Sequence, residues 1–183
     1  MPLLKENCHT TADIYNLPEG ERAELIDGQI YNMAPPRYMH QYVLGELYRI
    51  VSSYIKSKNG SCKVLPAPFA VFLNNDNKTY VEPDISVICD KNKLDEYGCH
   101  GAPDWIIEIV SLGSKKMDYF IKLLKYSSSG AREYWIVDPQ KNRITVYDFT
   151  SEDVMEYTFS DKVKAGIYED LWIDFSEISL EED

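Results

Sequence analysis

Glu108 interrupts the otherwise apolar run Trp105-Ile106-Ile107-Glu108-Ile109-Val110. A charge inside a buried strand costs several kcal/mol unless it is paired or coordinated, and a divalent cation is one effective way to offset that cost. Asp84 follows Pro83 and heads a second apolar stretch, Ile85 to Cys89. Hard cations such as Mg²⁺ take oxygen ligands and are commonly held by one or two carboxylates, with water and substrate phosphate completing the shell. Plainer readings stay open at this point. Pro-Asp is a common turn dipeptide, and a strand Glu can face solvent or pair with a lysine.

Lys122 lies four residues after Asp118 and four before Tyr126, so a helix would put all three on one face. Helical geometry alone favours an exposed ion pair worth a few tenths of a kcal/mol. The chemical alternative is an ammonium that reaches the carboxylates and orients an attacking water or stabilises phosphate charge. His40, near the start of a long helix, and Glu24, just before an Asp-Gly turn, are auxiliary candidates. Competing constellations are missing: there is no G-x-S-x-G elbow, P-loop, H-E-x-x-H or Gly-rich dinucleotide fingerprint.

The elements that must position these residues follow from periodicity. Asp27-Gly28 between Glu24-Leu25-Ile26 and Gln29-Ile30-Tyr31 is a strong hairpin signal. From Met39 to Lys58, apolar positions at three- and four-residue spacing predict an amphipathic helix ending near Asn59-Gly60. Strands are expected at Lys63 to Leu65, Phe69 to Leu73, Ile85 to Cys89 and Trp105 to Val110. Ser114 to Ser128 reads as a second helix, with Met117, Phe120, Ile121 and Leu124 on an apolar stripe and Tyr119 and Leu123 on another side, hence packed on more than one face. Glu133 to Asp138 and Arg143 to Phe149 read as a strand hairpin. Further strand-like elements are expected at Met155 to Phe159 and Leu171 to Ile178. The order implies an α/β (α+β) mixed sheet flanked by helices.

A chain of 183 residues fits one domain, 1–183, with one substantial core. No apolar run is long enough to span a bilayer, and Met1 to Thr11 lacks a signal-peptide pattern, so no membrane partner and a cytoplasmic location are expected. Cys8, Cys62, Cys89 and Cys99 form no C-x-x-C pair, which points to reduced structural thiols rather than zinc or disulfides. The net charge of −11 argues against a phosphate-binding footprint only until its distribution is read. Residues 148–183 carry −10 of it, and residues 1–147 are close to neutral at −1. The acidic C-terminal segment is expected to be a solvated surface.

Taken together, these residues resemble the Uma2 family of restriction-endonuclease-like, PD-(D/E)xK proteins. The matching pieces are Glu24-Leu25-Ile26-Asp27-Gly28, Met33-Ala34-Pro35-Pro36 with His40-Gln41, Glu82-Pro83-Asp84 and Gly101-Ala102-Pro103-Asp104. Glu108-Ile109-Val110-Ser111, the series Asp118, Lys122, Tyr126, and Glu133-Tyr134-Trp135-Ile136-Val137-Asp138-Pro139 complete the pattern over roughly residues 10–150.

The resemblance implies a PD-(D/E)xK fold with an N-terminal β-hairpin, Asp84 as the motif Asp and Glu108 as the acid of the (D/E)xK element. Val110 occupies the place of that element's lysine, which the resemblance moves to Lys122 on the following helix. The family's usual Ser-Pro-Ser-Thr reads Ser111-Leu112-Gly113-Ser114 here. The implied activity is Mg²⁺- or Mn²⁺-dependent hydrolysis of phosphodiester bonds in nucleic acid, DNA above all. Asp84, Glu108 and the Ile109 carbonyl would be the ligands, Lys122 would act on the water, and Glu24 and His40 would assist. A homodimer is expected by fold-level analogy. The alternatives are a nuclease fold kept for binding or assembly, and a phosphoesterase for small nucleotides.

Overall fold

A computed structural model describes residues 8–74, 76–111 and 113–180. Leu112 of the Ser111–Ser114 turn, the first seven residues and the last three acidic residues of the tail lie outside them.

A short helix α1 (Thr11–Tyr15) precedes the expected hairpin of β1 (Ala23–Ile26) and β2 (Gln29–Asn32). Asp27 and Gly28 both take positive φ, 51° and 78°, as a two-residue hairpin turn with the right twist requires. At Gly28 a Cβ would also come within 2.6 Å of Cys8 Sγ. The amphipathic helix α2 (Tyr38–Ser57) ends at Asn59, whose φ of 51° stops it as expected. Then come β3 (Lys63–Pro66), β4 (Val71–Phe72), β5 (Ile85–Ile88), β6 (Cys99–His100) and β7 (Trp105–Ile109). A π turn (Met117–Lys122) runs into α3 (Leu123–Ser128). β8 (Glu133–Asp138), β9 (Arg143–Asp148), β10 (Asp153–Tyr157), β11 (Lys162–Lys164) and β12 (Trp172–Asp174) follow.

The central sheet has six strands in the order β10-β9-β8-β7-β5-β3. Only β7 and β8 pair in parallel within it, and their crossover is the segment that carries the π turn and α3. Parallel neighbours need such a connection, and it lays a helix on one face of the sheet. Alternation along the strands then builds two cores. Ile85, Val87, Trp105, Ile107, Ile109, Trp135 and Val137 pack with Val43, Leu47 and Val51 of α2. Ile88, Ile106, Tyr134 and Ile136 face the other way, towards Tyr126 and Val71. With both faces covered, all five residues of β7 are buried, and Glu108 belongs by alternation to the α3 side.

Three expectations are corrected. Cys62 and Cys89 are joined in a disulfide rather than left as reduced thiols. The β3–β5 register sets Lys63 opposite Ile88, so the flanking cysteines meet across the strand pair. The acidic tail is solvated only through its charges. Glu152, Asp153, Glu156, Glu169, Asp170 and Glu177 are exposed, whereas Val163, Ile173 and Phe175 are fully buried in the α2-side core. The stripe of Phe120 and Leu124 faces solvent, 66% and 69% exposed, because the inward face of that segment belongs to Asp118, Lys122 and Tyr126. Among the described residues no helix is long and apolar enough to cross a membrane.

Candidate active site

Glu108 is held by the middle of the sheet, and its strand partner brings Asp84 to it. Ile85 pairs with Ile107 in the antiparallel β5–β7 ladder, so one step further along Asp84 faces Glu108. The Asp84 N–H reaches Glu108 Oε2 at 3.3 Å, and the Ile109 N–H donates to Asp84 Oδ2 at 2.7 Å. The two carboxylates therefore lie on facing positions of neighbouring strands, where extended backbone fixes their separation.

His40 arrives from the first turn of α2. Its Nε2 lies 3.1 Å from Asp84 Oδ2. Burial pulls the imidazole pKa down, but the hydrogen bond to Asp84, the charges of Asp84 and Asp118, and the Ile109 carbonyl outweigh it and leave it raised. Glu24 comes from the hairpin, which is anchored by reciprocal backbone bonds between Leu25 and Tyr80 of 2.8 and 2.7 Å. Glu24 Oε1 accepts the Glu82 N–H at 2.9 Å, while Glu82 is itself held by Arg22 and by the Tyr80 hydroxyl at 2.7 Å.

Lys122 is where the geometry departs most from an exposed ion pair. Only 5% exposed, its Nζ lies 2.8 Å from Glu108 Oε1, 3.0 Å from Glu24 Oε1 and 4.0 Å from Asp118 Oδ1. The Tyr126 hydroxyl donates to the same Glu108 Oε1 at 2.8 Å. In a regular α-helix, residues four apart drift by about 40°, so the line from Asp118 through Lys122 to Tyr126 would fan out by about 80°. The wider π turn, closed by i→i+5 bonds, advances each residue by less and reverses the first of these drifts. All three side chains then reach one side of the segment, which is the physical reason for the π turn here. Ser114 supports it: its hydroxyl donates to Asp118 Oδ2 and accepts the Ser111 N–H at 2.9 Å.

Buried acidic groups outnumber the basic one at the centre of this cluster. Three carboxylates, Glu24, Glu108 and Asp118, stand around the single ammonium of Lys122, and Asp84 stands beside Glu108. Burial pushes Glu108 upward against the pull of Lys122, with Asp84, Asp118 and Glu24 adding to the rise. Asp118 is pushed to about 6, first by burial. The Lys122 ammonium is disfavoured by burial, but Glu108, Glu24 and Asp118 more than compensate and hold it charged. Burial, then the charge of Glu108, keeps the Tyr126 phenol protonated.

Except for the fully buried Tyr126, these groups line a cavity of about 390 Å³ bounded also by Pro35, Pro36, Arg37 and Pro68. Among the described residues no three His, Cys, Asp or Glu side chains converge into a ready-made coordination shell. An ion such as Mg²⁺, which keeps waters and takes only one or two carboxylates, does not need one. The residues present fit it: among the described residues Asp84 Oδ1 accepts no hydrogen bond, Glu108 Oε2 has only the long one from Asp84, and acidic side chains outnumber the Lys122 ammonium.

Every residue singled out from the sequence, Asp84, Glu108, Ile109, Lys122, Glu24 and His40, is brought to this one cavity. Asp118, from the same series, also lines it, and Tyr126 reaches Glu108 without lining the cavity. Ser114 and the Arg22–Glu82 pair were missed. A serine four residues before Asp118 was the available signal for the first; no local pattern announces the second, which spans 60 residues.

The chain matches the family model Uma2, described as "Putative restriction endonuclease", over residues 11–165. No match is found among the curated proteins. Among solved structures the chain is similar to "a putative nuclease belonging to DUF820 from Anabaena variabilis ATCC 29413". The TM-score is 0.75 at 21% sequence identity, over 92% of this chain and 96% of that one, a likeness that speaks for the fold. The family match runs through every element that carries a site residue, from Glu24 to Tyr126, and the chain belongs to the Uma2 family.

Proposed function

We propose that this chain is a Mg²⁺- or Mn²⁺-dependent nuclease that hydrolyses phosphodiester bonds in DNA. The observation that carries the reading is the facing pair Asp84 and Glu108, with Lys122 Nζ 2.8 Å from the Glu108 carboxylate. Asp84, Glu108 and the Ile109 carbonyl would hold the ion. Once bound, it would lower the pKa of a coordinated water and neutralise charge on the scissile phosphate.

The protein's own groups do the rest. Lys122 has three N–H donors: one is given to Glu108, Glu24 balances the ammonium as an ion pair at 3.0 Å, and Asp118 at 4.0 Å lies beyond hydrogen-bond reach, so among the described residues a donor remains that could hold the attacking water. Glu24 fixes the ammonium from the hairpin side. His40 and the Ile109 N–H hold Asp84 Oδ2, so the other oxygen of that carboxylate would be left to hold the ion. A homodimer with one site for each strand belongs to the same reading, and light scattering of the purified protein checks it.

Cleavage of duplex DNA, single-stranded DNA and a mononucleotide ester, with and without Mn²⁺, is the direct test. The parent is expected to cut DNA only with metal, and Asp84→Ala and Glu108→Ala are expected to be silent. Activity that survives both substitutions would sink the assignment. The rival reading, a nuclease fold kept for binding, draws on the close hold of Glu108 and Glu24 on Lys122 and on Val110 in the usual lysine position. Calorimetric titration separates the two: no heat of binding at millimolar Mn²⁺ favours the rival.

A further inference from the structure

We infer that Tyr126 is a positioning residue that divides the Glu108 carboxylate between protein and metal. Its hydroxyl fixes Oε1 on the protein side, so that only Oε2 is offered to the ion. The inference rests on the nuclease reading above and names how that site sets its affinity.

Three observations carry it. The Lys122 ammonium and the Tyr126 hydroxyl meet the same oxygen, Oε1, each at 2.8 Å. Two donors on one oxygen fix the rotation of the carboxylate about its last bond. They leave Oε2 on the side of Asp84, whose N–H is 3.3 Å away. With the hydroxyl gone, Lys122 alone would hold Glu108, and a lone ammonium can slide to bridge both oxygens and take Oε2 from the metal.

The hydroxyl is also held too firmly to be an incidental contact. The Tyr126 ring is completely buried and packs edge-on against Tyr134, with centroids 4.9 Å apart and planes at 67°. Tyr134 in turn donates its hydroxyl to the Asp118 carbonyl at 3.0 Å, inside the π turn. The strand that neighbours Glu108's own strand thus fixes the phenol that fixes Glu108. Groups that orient a ligand without touching the metal typically account for 10- to 100-fold in metal affinity.

The test is Tyr126→Phe, which keeps the ring and deletes only the hydroxyl. Mn²⁺ affinity is read by calorimetry, beside DNA cleavage as a function of Mn²⁺ concentration. The expected result is a Mn²⁺ Kd weaker by about tenfold, with cleavage recovering towards the parent rate at saturating Mn²⁺. Tyr168→Phe is the control for loss of a buried hydroxyl: that hydroxyl lies against the α2-side core and does not line the cavity, and the variant's Mn²⁺ Kd is expected to match the parent.

A parent that binds Mn²⁺ and a Tyr126→Phe protein that binds it equally well overturn this inference and leave the nuclease reading standing. A parent that binds no Mn²⁺ overturns both. Should Tyr126→Phe fail to fold, a crystal of the parent soaked in Mn²⁺ decides. Manganese on Oε2 with Oε1 still held by Tyr126 and Lys122 supports the division, and chelation by both oxygens overturns it.

Discussion

Glu108 and Glu133 sit on neighbouring parallel strands, 3% and 1% exposed, Glu108 inside a run of apolar residues and Glu133 at the head of one. Burial pushes both carboxyls upward. What separates them is the donors they meet. Glu133 accepts the Trp135 indole N–H at 2.6 Å, the Gly166 N–H at 3.0 Å and the Ile167 N–H at 2.9 Å, so both its oxygens are engaged by neutral groups fixed in place. Gly166 is the residue that permits this, since a Cβ there would stand 3.2 Å from Glu133 Oε2. The bonds staple the approach to β12 onto the sheet, and nothing is left over. Glu108 meets a lysine and a phenol on one oxygen and turns the other to Asp84. A buried carboxylate is therefore no marker of a site by itself; an uncommitted oxygen beside a second carboxylate is.

The sharpest break of this comparison is functional. Asp84→Ala and Glu108→Ala are expected to lower Mn²⁺-dependent cleavage by at least about 100-fold, the scale on which losing an electrostatic element of an active site is felt. Glu133→Gln, assayed below its melting temperature, should cleave within about twofold of the parent. It should instead lose roughly 1–3 kcal/mol of stability in urea, because the amide cannot accept all the N–H groups that the carboxylate does. If Glu133→Gln lost cleavage as Glu108→Ala does, the distinction between the two carboxylates would fail.

Lys122→Met tests the charge balance directly. It leaves Glu24, Glu108 and Asp118 without their cation, and breaking a buried ion pair in this way costs about 3–5 kcal/mol. The melting temperature should fall accordingly, and Mn²⁺ should restore more of it in Lys122→Met than it adds to the parent, because a divalent ion supplies the missing positive charge. Glu133→Gln should show no such excess recovery. An equal response to Mn²⁺ in both variants would mean that the Glu108 cluster does not draw the ion.

A smaller effect appears in the pH dependence of stability. Asp118 has its pKa raised from 3.8 to about 6 in the fold. The folded chain holds that proton more tightly than the unfolded one. The group's contribution is therefore complete below pH 3.8, declines as pH climbs to about 6, and is constant above. Asp118→Asn should remove that decline from the urea-unfolding free energy between pH 4 and 6. Glu133 is raised in the same sense, and its share should persist in Asp118→Asn. A pH profile identical to the parent's would show that Asp118 is not desolvated in solution.

Much of this was legible in the chain, and the rest was not, for identifiable reasons. The Asp27-Gly28 turn, α2 and the strands of Glu108 and Glu133 are local patterns, and they appear where periodicity puts them. Glu108 stands out because one charge in an apolar strand is conspicuous; Glu133, at the edge of its run, does not, although its side chain is buried too. For Lys122, helical spacing alone favours an exposed ion pair, and it is the family resemblance that brings it to the carboxylates. Its burial depends on a π turn and on a hairpin nearly 100 residues earlier. The Cys62–Cys89 disulfide depends in the same way on register, which pairs the two positions only once β3 and β5 are aligned. Residue types announced the carboxylates, whereas tertiary pairing decided which of them were left free.

The smallest expected effect separates the surroundings of the two glutamates. Arg37 lines the cavity above Glu108, is exposed, and has no ion-pair partner among the described residues. Lys164 is exposed beside the hollow that Glu133 borders. If DNA enters over Glu108, Arg37→Ala should weaken binding by a few-fold for all sequences alike and reduce the slope of log affinity against log salt by about one. Lys164→Ala carries the same change of charge and should leave both unchanged. Fluorescence anisotropy of a labelled duplex across a salt series, with Ca²⁺ in place of Mn²⁺ to prevent cleavage, reads the two together. Equal slopes for both variants would mean that net charge, rather than the cavity over Glu108, governs the encounter with DNA.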